Sequence, residues 1–248
     1  MIIPLLVIIF SLDLGIDYSQ VFAGIPNLLD LVTESIPPDM GVMEIGLIAI
    51  YETIQIAFLG TVFGSLLALP FSLASARNIS RKRYVVISRM ILAKFRTLPS
   101  LLWAIIFVIM VGTGPLAGVL AVMMYTVGYL GKLQYESIEG VDDEPIEAIS
   151  STGANRVQII RYVILPESAN NVLSQILFMF EYNVRSSAIL GFVGAGGIGF
   201  YLSSYLRFME YDKVLMLLIM TFITIMIFDY MSIMLRDRYL SLKKPVRS

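Results

Sequence analysis

Along this chain the apolar residues come in long runs. They do not show the alternation of half-buried strands or the three-to-four spacing of helices that pack one face on a soluble core. A helix needs about 20 mostly apolar residues to cross the hydrocarbon layer of a bilayer. Six runs approach or exceed that length: about 2–16, 45–74, 90–111, 116–131, 168–190 and 214–235. The first is short, and it lacks the basic start and the Ala-x-Ala-like site of a secretory signal. The second is long enough to tilt or to project past the bilayer. The third has a clear apolar core only over Leu98–Val111 and is expected to begin within Tyr84–Phe95, with Pro99 as a kink. Gly112-Thr113-Gly114-Pro115 then predicts a tight turn. The pattern predicts an all-α membrane protein with six transmembrane helices in one domain, 1–248. A polar segment, 132–166, separates the fourth and fifth spans.

Composition supports this class. The chain is 57% hydrophobic and 15% charged, against roughly 25% charged in a soluble domain. It contains no Cys and no His. Disulfides, thiolate chemistry, His metal sites, His proton shuttles and Ser-His catalysis are thereby excluded. No metal site, catalytic site or cofactor site is expected, and a membrane enzyme is disfavoured.

The basic residues orient the spans, because Lys and Arg are retained in cytoplasmic loops. Residues 1–76 contain neither, and the loop 13–44 is acidic. Seven basic residues fall in 77–96, three in 132–166 and five after Leu235. Arg207 and Lys213 lie on the opposite side, and Arg185 lies within a span. The distribution predicts both termini, and the segment 132–166, in the cytoplasm. Arg77, Arg81, Lys82 and Arg83 are expected to be determinants of this orientation, not a nucleic-acid site.

Within the polar segment, Pro145 suits the first turn of a short helix that Asp142 or Asp143 would cap. Ile146, Ile149 and Val157, with Ala148, would give it a partly apolar stripe, and Gly153 allows a bend or a close approach. Leu165-Pro166 would open the next helix. The order Glu147-Ala148-Ile149, then Gly153, then Val163-Ile164-Leu165-Pro166 resembles the EAA signature of ABC-importer permeases. Ile149 stands where that family usually has Ala, and Val163 where it usually has Ile. The resemblance implies a type I importer permease fold. It also implies that Glu147, Ala148, Ile149, Gly153, Leu165 and Pro166 form a coupling element that docks on an ATPase.

Further segments resemble phosphonate-importer permeases in particular: Glu52–Ala57, Ala76–Ser80, Val111–Gly118, Gly128–Lys132, Glu181–Ser186 and Leu190–Gly199. That family includes importers of phosphite and related oxyanions. The resemblance implies a homodimer of permeases in the prokaryotic cell membrane. It also implies two ATP-binding subunits that hold ATP and Mg, and an extracytoplasmic phosphonate-binding protein.

The candidate pathway residues are Glu181, Asn183, Arg185, Gly194, Gly196 and Gly197. A charge within a span is costly unless it is paired or faces water. Arg185 either pairs with Glu181 at i,i+4 spacing or meets the anion, for which a guanidinium is suited; the two roles are compatible. Asn183 would donate a hydrogen bond to either. Asp229 is expected to pair with a basic neighbour and has no expected transport role. Gly194-Ala195-Gly196-Gly197-Ile198-Gly199 matches a dinucleotide-binding spacing, but no acid follows at the required distance. Close packing or a pathway-lining turn are its open roles. Two other classes remain: a permease of the same architecture for another small solute, and an ion-coupled secondary transporter using Glu52 or Glu181.

Overall fold

Backbone amides cannot be left unpaired in hydrocarbon, so long apolar runs close their hydrogen bonds within helices. A computed structural model describes residues 2–239, and among them there is helix and no strand. The elements are α1 (Ile2–Asp13), α2 (Ser19–Ala23), α3 (Ile25–Ser35), α4 (Met43–Ser75), α5 (Lys82–Thr97) and α6 (Ser100–Val111). They continue with α7 (Pro115–Glu139), α8 (Asp143–Ser150), α9 (Arg156–Ile159), α10 (Leu165–Leu190), α11 (Ile198–Arg207) and α12 (Tyr211–Tyr239).

Among the described residues, four helical stretches are long and apolar enough to cross a membrane: Met40–Ser75, Pro115–Glu139, Arg156–Val193 and Tyr211–Arg236. A fifth is obtained if α5 and α6 count as one. They meet at a bend of 85°, so the expected run 90–111 is a broken helix. Pro99 causes the break, because its ring forces Leu98 out of the helical region, to φ −87°, ψ 124°. The Trp103 indole N–H ties the two halves by donating to the Phe95 carbonyl at 3.1 Å. The expected first span, 2–16, is a helix of 12 residues that stops at Asp13. At 1.5 Å per residue it measures about 18 Å, short of the hydrocarbon thickness. Lys243, Lys244 and Arg247, counted for orientation, lie outside the described residues.

The centre of the molecule is the α4–α7 pair. Gly60 faces Val122 and Gly64 faces Thr126. Ser72 Oγ donates to Gln134 Oε1 at 3.0 Å, and the Arg77 N–H donates to Glu139 Oε1 at 2.6 Å. These pairs keep a constant sequence offset, so the two helices run parallel and in register from end to end. Small residues make that closeness possible, which matters where lipid supplies no hydrophobic drive to association. α10 lies across both in the opposite direction. Its Gln175 amide donates to the Leu133 carbonyl and Ser137 Oγ, and Asn183 reaches Thr61 and Thr126. At one end of the bundle, Ala76, Ile138 and Ile164 form a buried cluster with Ile79, Ile146 and Ile159. The glycine run and α11 lie at the other.

Candidate functional site

The polar segment folds as two short helices and a turn. α8 begins after Asp142, but no side chain caps it, so the expected carboxylate cap is absent. Ser150, Ser151 and Thr152 end α8 by donating from their hydroxyls to the carbonyls of Ile146, Ala148 and Ile149. Gly153 then reverses the chain at φ +82°, with open space where a Cβ would stand. That left-handed conformation suits glycine. Asn155 and Gln158 form a capping box that starts α9. From Arg156 the helix continues through a π-helical turn, Ile160–Ile164, into α10. Leu165 and Pro166 therefore open α10 inside a longer helical run.

Only part of this segment is held by the bundle. Ile146 and Ile159 pack on the buried cluster, and the Arg156 guanidinium reaches the Ile79 carbonyl at 3.5 Å. Glu147, Ala148 and Gly153 are exposed, Ile149 is half-buried, and Val157 is 71% exposed. Val157 therefore does not complete the expected apolar stripe. The outcome is a knuckle anchored on its inner side through Ile146, Ile159 and Arg156, with its outer face exposed.

At the far end, α10 leads into a tight turn of glycines. Gly194, Gly196 and Gly197 have φ of +86°, +82° and +73°. The run is preceded by a helix, not by the strand a dinucleotide site requires. The Gly197 N–H donates to Glu52 Oε1 at 3.0 Å, and the Ile198 N–H donates to Thr53 Oγ1 at 2.9 Å. Both bonds satisfy amides at the start of α11, which its own ladder leaves free. An open cleft of about 200 Å³ lies here, lined by Glu52, Thr113, Gly114, Gly194, Gly196, Gly197, Phe200 and Tyr201. The role of Glu52 and Thr53 in fixing this turn was not expected from sequence, because they lie 145 residues from their partners.

The polar residues of α10 separate into three environments. Asn183 is buried, and its Nδ2 donates to Thr61 Oγ1 at 2.8 Å and Thr126 Oγ1 at 2.9 Å. It therefore pins α4, α7 and α10 together and does not donate to Arg185 or Glu181. Arg185 does not pair with Glu181 either. Its Nη2 donates to both carboxylate oxygens of Asp229 on α12 at 3.2 Å. Glu181 instead accepts from Arg236 Nη2 at 3.2 Å. The expected i,i+4 pair is thus replaced by two pairs between α10 and α12. Interhelical partners prevail because α12 passes close along this face, as the Phe180–Phe228 ring contact one turn away shows. The Arg185 side chain is 49% exposed and Glu181 only 15%. Arg185, with Pro99, Ser100 and Tyr182, lines an opening between α10 and the α5–α6 bend. Among the described residues no cluster of His, Cys, Asp or Glu could hold a metal ion.

The chain is similar to known proteins in sequence and in backbone. The family described as binding-protein-dependent transport system inner membrane component matches residues 60–240. The putative phosphite transport system permease protein HtxC of Stutzerimonas stutzeri is 36% identical over 92% of this chain and 82% of its own length. The phosphate-import permease protein PhnE of Mycolicibacterium smegmatis is 35% identical over 77% of this chain and 36% of its own length. In backbone, the chain is similar to the MetNI methionine ABC transporter in an inward-facing form. The TM-score is 0.69 with 22% identity, covering 80% of this chain and 98% of that one.

Proposed function

The chain belongs to the family of binding-protein-dependent transport system inner membrane components, and from that premise we propose that it admits phosphonate-type anions, phosphite among them. As a member it is a non-catalytic membrane permease subunit of an ABC transport system. The family implies ATPase and substrate-binding partners. The finer assembly proposed is a homodimer of this chain, two copies of the ATPase, and an extracytoplasmic phosphonate-binding protein. Both termini and the segment 132–166 face the cytoplasm in this arrangement, where ATP is.

The observation that carries the proposal is the unbroken helical run Arg156–Val193. At one end it holds the exposed knuckle with Glu147, Ala148, Ile149 and Gly153, suited to docking on an ATPase. Near the other it holds Arg185, whose guanidinium is half-exposed and paired with Asp229. Closure of the ATPase dimer would move the knuckle, and one helix would transmit that motion to the anion contact. The bundle would then exchange outward-open and inward-open states. Gly194, Gly196 and Gly197 would line the outer part of the path. Two relatives named for phosphite and phosphate support a phosphorus oxyanion as cargo. An ion-coupled transporter would typically use a membrane-embedded carboxylate for its ion. Its two candidates, Glu52 and Glu181, are both engaged in structural bonds.

The test is reconstitution of the chain with its ATPase and binding protein in liposomes. Uptake of phosphite or methylphosphonate that requires ATP supports the proposal. Uptake driven by an ion gradient without ATP, or of neither anion, refutes it.

A further inference from the structure

We propose that Asp229 is a selectivity residue: it is the resident counter-ion of Arg185, and an arriving anion must displace it. This rests on Arg185 being the anion contact. Four charges, Glu181, Arg185, Asp229 and Arg236, sit on the facing sides of α10 and α12 and sum to zero. Within a membrane span each is tolerated because it is paired. Glu181 lies one turn from Arg185 on α10, yet it is held by Arg236. Asp229 is therefore the acid an anion competes with. It sits on Nη2, the nitrogen that both bidentate edges of a guanidinium share, so an oxyanion gripping either edge competes with it. The Asp229 side chain is itself 37% exposed, so the exchange does not have to occur in a sealed core.

A carboxylate in this position sets a threshold. Weakly basic, monovalent anions such as nitrate gain less from a guanidinium than a carboxylate does. A phosphorus oxyanion with several charged oxygens can bind bidentately and win the exchange. The ion pair thus admits ligands that resemble, and outbind, a carboxylate.

The test uses the reconstituted complex, with phosphite uptake measured against increasing nitrate. Wild type and Asp229→Glu are expected to resist nitrate. With each variant referred to its own phosphite uptake in the absence of nitrate, Asp229→Asn is expected to be inhibited at nitrate concentrations lower by on the order of tenfold, because a competing charge has been removed. Nitrate resistance in Asp229→Asn equal to wild type overturns the proposal. The chain has no Cys, so Asp229→Cys gives a second route that separates charge from folding. Modification with a sulfonatoethyl methanethiosulfonate is expected to restore nitrate resistance, and an aminoethyl reagent is not. Equal effects of the two reagents also overturn the proposal. The underlying assignments fail in distinguishable ways. Arg185→Gln with unchanged uptake removes Arg185 as the anion contact, and a wild-type complex that takes up neither phosphite nor methylphosphonate removes the substrate class.

Discussion

The Glu52 carboxylate on α4 accepts the Gly197 N–H at 3.0 Å, holding the first turn of α11 against a helix 145 residues earlier in sequence. A negative group at a helix N-terminus is favourable both as a cap and against the helix dipole. Replacement of Glu52 by Ala is expected to lower stability by about 1–2 kcal/mol, and Gln, which keeps the acceptor, by less. Thermal unfolding of the detergent-solubilised protein ranks the variants. Gly197→Ala is expected to be at least as costly, since a Cβ there would stand 2.6 Å from Thr53 Oγ1 at a φ of +73°.

Gly153 makes the opposite prediction. It turns the exposed knuckle at φ +82°, and nothing among the described residues lies within 4 Å of where a Cβ would stand. Gly153→Val is expected to cost the fold about 1–2 kcal/mol of local strain and to leave membrane insertion intact. The ratio of transported anion to ATP hydrolysed is expected to fall several-fold. Wild-type coupling in that variant would count against docking at this turn.

Asn183 is placed to be structural. Asn183→Ala removes two buried hydrogen bonds and leaves a small cavity, a loss of about 2–3 kcal/mol. Thr61 keeps its hydroxyl bond to the Ala57 carbonyl, which softens the change. Asn183→Asp would place an unpaired carboxylate among three helices, and its yield of folded protein is expected to collapse. Size-exclusion profiles distinguish the two outcomes.

Glu139 closes the end of the bundle below the knuckle. It accepts from Arg89 Nη2 at 2.6 Å and from the Arg77 N–H at 2.6 Å, while the Arg89 guanidinium also stacks on Tyr135 at 4.3 Å. Glu139→Ala is expected to lower stability by about 2–3 kcal/mol, since charged acceptors make the stronger bonds. The exchanged double variant, Arg89→Glu with Glu139→Arg, should recover only part of this. Arginine cannot accept the Arg77 N–H. Full recovery in thermal unfolding would show that this backbone bond contributes nothing.

The class of the protein was legible because bilayer thickness and backbone hydrogen bonding write themselves into sequence as apolar runs. Four of the runs lie within continuous helices, Met40–Ser75, Pro115–Glu139, Arg156–Val193 and Tyr211–Arg236, of which the second runs eight residues past 131 and the third begins twelve before 168. The knuckle was legible through its turn chemistry, since Gly153 and Pro166 impose local geometry. Pro99 was recognised as a kink, but the size of the bend was not, because it goes with a tertiary contact between the two halves, Trp103 on α6 against Phe95 on α5. The first run is short, as its composition suggests: its apolar residues continue to Ile16, but the helix stops at Asp13, before a turn at Gly15 with φ +63°.

The sequence by itself therefore determined that the chain is a helical membrane component, which segment is polar and exposed, and which charges enter the spans. These are properties of single segments and follow from local composition and backbone constraints. Only the tertiary structure decided the partners. Spacing along α10 joins Glu181 to Arg185, but α12 offers each a better-placed opposite charge, and Glu52 finds its amide at the start of a helix far along the chain. A buried or half-buried polar group takes the nearest complement in space, and helix packing sets that distance.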